Sequence, residues 1–62
     1  MKLNRIKEAR IKAGLSRRQL GEMIGKNESA IQNIEDKRVN PKFDEIVKIC
    51  KVLKLKIEEV ID

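Results

Sequence analysis

The side chains best equipped for recognition chemistry are Glu28, Ser29, Gln32 and Asn33. At about 100° per residue they occupy a helical arc centred about 160–200° from Ile31 and Ile34. Two amides there donate and accept together, a hydroxyl does both, and a carboxylate accepts. A polar stripe opposite an apolar one is what any surface helix shows, so this arc needs support from other residues. Five cations nearby in sequence supply it: Arg17 and Arg18 on one side, Lys37, Arg38 and Lys42 on the other. Arg17 and Arg18 fall on the opening turn of a helix, where unpaired N–H groups already favour an anion such as a phosphate. Lys48, Lys51, Lys54 and Lys56 lie further on and read as a solvated face.

What the inventory lacks is equally informative. There is no His and a single Cys, so no disulfide framework, zinc site or Ser–His arrangement can be built, and the usual general base is missing. No catalytic residue, metal or cofactor is expected, and the chain does not read as an enzyme. Fifteen Lys and Arg against ten Asp and Glu leave a net charge of +5. On so small a body this field favours nucleic acid, an acidic protein or an anionic membrane. No apolar run approaches the roughly 18 residues of a membrane span, and Met1-Lys2-Leu3-Asn4 opens no signal peptide. Cys50 fits a reducing cytoplasm, the expected location. Sixty-two residues make one small domain, 1–62, that buries about 60% of its unfolded surface; no small-molecule effector site is expected.

The elements that must position these groups are helical. Ile6, Ala9 and Ala13 space a first helix over 4–13, and Gly14 stops it. Ser16-Arg17-Arg18-Gln19 is a capping box opening a second helix, which carries Leu20, Met23 and Ile24 and ends at Gly25. Asn27 caps a third over 28 to about 36, with Ile31 and Ile34 inward. Residues 37–41 form a loop. Ile46, Ile49, Cys50 and Leu53 mark a fourth helix, and 57–61 a short fifth. Nothing alternates as a strand does, so the fold class is all-α.

Gly21 stands inside the second helix, where Gly costs about 1 kcal/mol against Ala. Either it is a tolerated Gly in an ordinary helical hairpin, or another backbone passes too close for a side chain, with the third helix crossing at Gly21. Only Gly25-Lys26-Asn27 separates helices two and three, the short Gly-containing turn of a helix-turn-helix crossing at roughly 90–120°. Arg10 falls near the middle of the first helix's apolar stripe. It either snorkels to solvent or finds a carboxylate, and Glu35, beside the Ile31/Ile34 stripe, is the candidate.

The run Ile6, Arg10, Gly14-Leu15-Ser16, Leu20-Gly21, Ile24-Gly25, Ile31, Ile34-Glu35, then Asn40-Pro41 and Ile46, Ile49-Cys50, Leu53, Leu55, resembles the phage repressor/Cro (XRE-like) helix-turn-helix domains. The likeness covers nearly the whole chain. It implies a five-helix bundle of the lambda-repressor-like type, with the helix-turn-helix formed by helices 2 and 3. It also implies a structural ion pair between Arg10 and Glu35. The chain departs from the family at Arg17, where Gln is frequent, at Lys26, where an apolar residue is usual, at Lys42, where Ser often caps, and at Cys50, where Ala is common.

In that family the third helix enters the major groove, and the phage repressors are the type cases of this docking. The resemblance therefore implies base contacts from Glu28, Ser29, Gln32 and Asn33, and phosphate contacts from Arg17, Arg18, Lys37, Arg38 and Lys42. Gln and Asn suit adenine, Glu suits cytosine, and this arc offers no cation for guanine. Glu28 is equally explained as an acid answering the helix dipole. The expected function is sequence-specific binding of double-stranded DNA as a transcriptional regulator of repressor type. A homodimer, at least on an operator with two half-sites, is expected; Ile57, Val60 and Ile61 are either its contact or ordinary core packing. A protein-interaction module of antitoxin or adaptor type is the alternative.

Overall fold

A computed structural model describes residues 2–61. It has four α-helices in order, α1 (Asn4–Lys12), α2 (Arg17–Ile24), α3 (Glu28–Glu35) and α4 (Phe43–Leu53), followed by a single 3-10 turn, Ile57–Glu59. There is no strand among the described residues.

Each helix end has a local cause. At α2, the Ser16 hydroxyl accepts from the Gln19 N–H at 3.0 Å and the Gln19 side chain accepts from the Ser16 N–H at 2.8 Å. At α3, the Asn27 side chain accepts from the Ala30 N–H at 2.8 Å. Helix α4 has no such hydroxyl; instead Glu45 reaches back to the Lys42 N–H at 2.9 Å. Helix α1 closes through Gly14 at φ +74°, with Gly14 N–H bonded to Ile11 and Leu15 N–H to Arg10. Helices α3 and α4 close the same way, but with Lys37 and Lys54 in the left-handed positions.

The core consists of Leu3, Ile6, Leu20, Ile24, Ile31, Ile34, Ile46, Ile49, Cys50, Leu53 and Val60. Burying one such aliphatic side chain contributes about 1.5–3 kcal/mol. Leu20 of α2, Ile31 of α3 and Ile49 of α4 are among the fully enclosed members, which fixes the placement of α3 against the rest. The Cys50 thiol has its pKa raised, first by burial and then by the charge of Glu59, so it behaves as a small apolar filler.

Three expectations are corrected. The fifth helix over 57–61 is only a 3-10 turn. Lys54 ends α4 in a left-handed conformation, Lys56 is extended, and the turn that follows is tightened to 3-10 bonding, with the Val60 N–H donating to the Ile57 carbonyl at 2.9 Å. Val60 is buried, and its carbonyl accepts the Lys2 N–H at 2.7 Å, so the segment joins the core instead of presenting Val60 to a partner; Ile57 and Ile61 are half-buried against the same core. Met23 is 57% exposed and Ala13 is exposed, because the inward arc of α2 is filled by Leu20, Gly21 and Ile24 and Ala13 sits beyond the last turn of α1.

Candidate nucleic-acid interface

Gly21 explains how closely α2 meets the chain leading into α3. A Cβ at this position would stand 2.5 Å from the Lys26 carbonyl oxygen and 3.2 Å from that of Asn27. Gly25, at φ +76°, then turns the chain into the cap of α3. It is this turn backbone that passes over Gly21, one element earlier than the body of α3.

A buried carboxylate joins the helices behind the interface. Glu35, at the end of α3, has a side chain with 0% exposure and accepts from Arg10 Nε at 2.6 Å and Nη2 at 3.3 Å. The third Arg10 nitrogen, Nη1, donates to the Leu15 carbonyl at 2.8 Å, just ahead of the α2 cap. One guanidinium thus links α1, the entry to α2 and the end of α3. Charge-assisted bonds of this fork geometry are the strong ones.

The two arginines opening α2 are unequal. Arg17 turns inward, with Nε donating to Glu35 Oε1 at 3.0 Å and a side chain 30% exposed. Arg18 points outward at 78% exposure and pairs with Glu22 four residues on, at 3.3 Å. Lys37, Arg38 and Lys42 are exposed around the loop after α3. On α3 itself Glu28, Ser29 and Gln32 are exposed. Asn33 is half-buried and lines a shallow cleft with Ala30, Val39, Asn40, Pro41 and Lys42. The geometry therefore presents three of the four candidate reading residues of α3 openly, flanked by cations at both ends.

Lys26 and Glu45 are a second tie that the sequence reading did not find. Lys26 Nζ lies 2.6 Å from Glu45 Oε2, joining the turn to the first turn of α4. The hydrogen bond to Lys26, then that from the Lys42 backbone, holds the Glu45 carboxyl below its ordinary pKa. The same hydrogen bond and charge hold Lys26 above its own. A Lys where the family prefers an apolar side chain was the available signal.

A capped helix, a turn of three residues lying over a glycine of that helix, and a second capped helix with an open polar face define a helix-turn-helix protein. The chain belongs to the helix-turn-helix family, whose model matches residues 6–60. It is similar to the uncharacterized HTH-type transcriptional regulator YgzD of Bacillus subtilis (strain 168), with 35% identity over 57 residues that span 92% of this chain and 86% of that relative. No solved structure matches it.

Proposed function

We propose that this chain is a sequence-specific binder of double-stranded DNA that regulates transcription, of repressor type, with α3 lying in the major groove. The observation that carries the reading is the open face of Glu28, Ser29 and Gln32 on a helix locked in place by Gly21 and Glu35, with exposed cations before and after it. Family membership and the relative named as a transcriptional regulator support it. Base edges are read by Glu28, Ser29, Gln32 and Asn33, and phosphates are held by Arg17, Arg18, Lys37, Arg38 and Lys42. Phosphate neutralisation supplies affinity without sequence information, and the α3 face supplies preference.

Two copies bind together in this reading. One recognition helix covers only a few base pairs, so a pair of half-sites about 10–10.5 base pairs apart is required for useful discrimination. The chain works as one domain, needs no cofactor and acts in the cytoplasm; no helix among the described residues is long and apolar enough to cross a membrane. Selection of bound duplexes from a random pool tests the proposal. It predicts a recurring motif with two-fold symmetry, whereas a protein-interaction module of antitoxin or adaptor type would enrich no motif.

A further inference from the structure

We propose that Glu35 is a positioning residue for the DNA backbone: it holds Arg17 as a pre-aimed clamp for one phosphate, completing a chain of Arg10, Glu35, Arg17 and phosphate. The inference rests on the DNA-binding reading above and adds a division of labour within it.

Arg10 alone satisfies the charge of Glu35, and all three of its nitrogens are engaged. Arg17 is therefore surplus to neutralisation. One carboxylate against two guanidiniums leaves a positive charge uncompensated, and Arg17 carries it because Arg17 is the member that reaches solvent. Its Nε is committed to Glu35 Oε1 at 3.0 Å, while Nη1 and Nη2 have no partner among the described residues. A planar guanidinium held at Nε leaves Nη1 and Nη2 as an outward pair of donors, and such a fork matches phosphate oxygens. Ordering the side chain before DNA arrives removes part of the entropic cost of the contact. Because Glu35 ends α3, the same carboxylate sets the placement of α3 relative to the gripped phosphate. Arg18 lacks this support, since its partner Glu22 is itself exposed.

The decisive comparison is wild type against Arg17→Lys and Arg17→Gln, each titrated with the selected duplex across a range of salt. Lysine keeps the charge but cannot present a fork fixed by Glu35. Arg17→Lys should retain the wild-type salt slope and bind about 2- to 12-fold more weakly, the cost of immobilising one side chain. Arg17→Gln should lose affinity and flatten the slope by about one unit. A purely structural role for Arg17 would shift melting and leave the slope of Arg17→Gln unchanged, which overturns the proposal. So does wild-type affinity in Arg17→Lys. Nitrogen-15 NMR of the DNA-free protein gives a separate readout: the Arg17 Nε–H should be resolved and protected, and rapid exchange there contradicts the clamp. If wild type binds no DNA, both this inference and the function it rests on fall; if wild type binds and Arg17→Lys equals it, only the clamp falls.

Discussion

The ammonium of Lys26 and the carboxylate of Glu45 stand 2.6 Å apart, tethering the turn between α2 and α3 to the first turn of α4. The tether is ionic, so its contribution has a pH window. Glu45 has a folded pKa below its ordinary 4.5, so its contribution is present above that value and is lost as pH falls through the folded pKa. Lys26 has a folded pKa above its ordinary 10.5, so its contribution is full below 10.5 and is lost as pH rises through the folded value.

Glu45→Gln tests this window, because the amide oxygen can still accept the Lys42 N–H while the charge is gone. The variant should melt slightly below wild type at pH 7, the effect being small because Lys26 is exposed. The gap should close once acid protonates Glu45 in the wild type. A gap of the same size at pH 3 and pH 7 would show that the charge contributes nothing.

Gly21→Ala should destabilise the domain even though Ala is the better helix former. The propensity gain is about 1 kcal/mol. Against it stands a 2.5 Å approach to a backbone oxygen that has no rotamer to escape through. Forcing the turn away from α2 costs about 1–3 kcal/mol, as overpacking typically does. Thermal melting by circular dichroism measures the balance, and a variant more stable than wild type would refute the close approach.

Glu35→Ala should melt well below wild type, with about a third or more of the domain's stability lost. At about 0.05–0.15 kcal/mol per residue the domain holds roughly 3–9 kcal/mol. Removing one member of a buried ion pair costs about 3–5. Unchanged helix content and melting would show that Arg10 and Arg17 do not depend on this carboxylate.

Features set within a few residues of chain were legible in the sequence. The Ser16/Gln19 box, the Asn27 cap and the Gly14 and Gly25 stops all act through neighbouring backbone groups, and each stands where its residue type directs. Gly21 was legible as a close approach, though the approaching strand of chain is the turn and not the body of α3. The stripes of α3 and α4 followed from their period. Periodicity failed at 57–61, whose apolar residues are spaced as in a helix while the segment forms a single 3-10 turn with Val60 in the core. It failed again at Met23, whose place depends on how much of the α2 arc Leu20, Gly21 and Ile24 already fill. The links from Arg17 to Glu35 and from Lys26 to Glu45 join residues 18 and 19 positions apart on different elements. No local rule reaches that far, and Arg10 was matched to Glu35 only with help from the family resemblance.

Lys54→Gly should raise stability. Lys54 sits at φ +58° in the left-handed region, a conformation costing a side-chain-bearing residue about 1–2 kcal/mol and costing glycine almost nothing. Glycine's greater unfolded-state freedom offsets part of this, leaving a gain of up to about 1 kcal/mol. For a domain of this size that is about 4–8 °C in melting temperature. A lower melting temperature would mean that the Lys54 side chain makes a contribution its backbone strain conceals.

The central claim is that α3 reads bases while the flanking cations hold the backbone. Gln32→Ala separates these roles, since Gln32 is exposed on the outer face of α3 and carries no charge. Dissociation constants are measured for wild type and variant on the selected duplex and on a scrambled duplex of equal length, at one salt concentration. A loss of about 1–3 kcal/mol is expected on the selected duplex, the worth of one bidentate amide–adenine contact. Almost no change is expected on the scrambled duplex, where phosphates supply the affinity. Equal losses on both duplexes, or none on either, would contradict the assignment of α3 as the reading element.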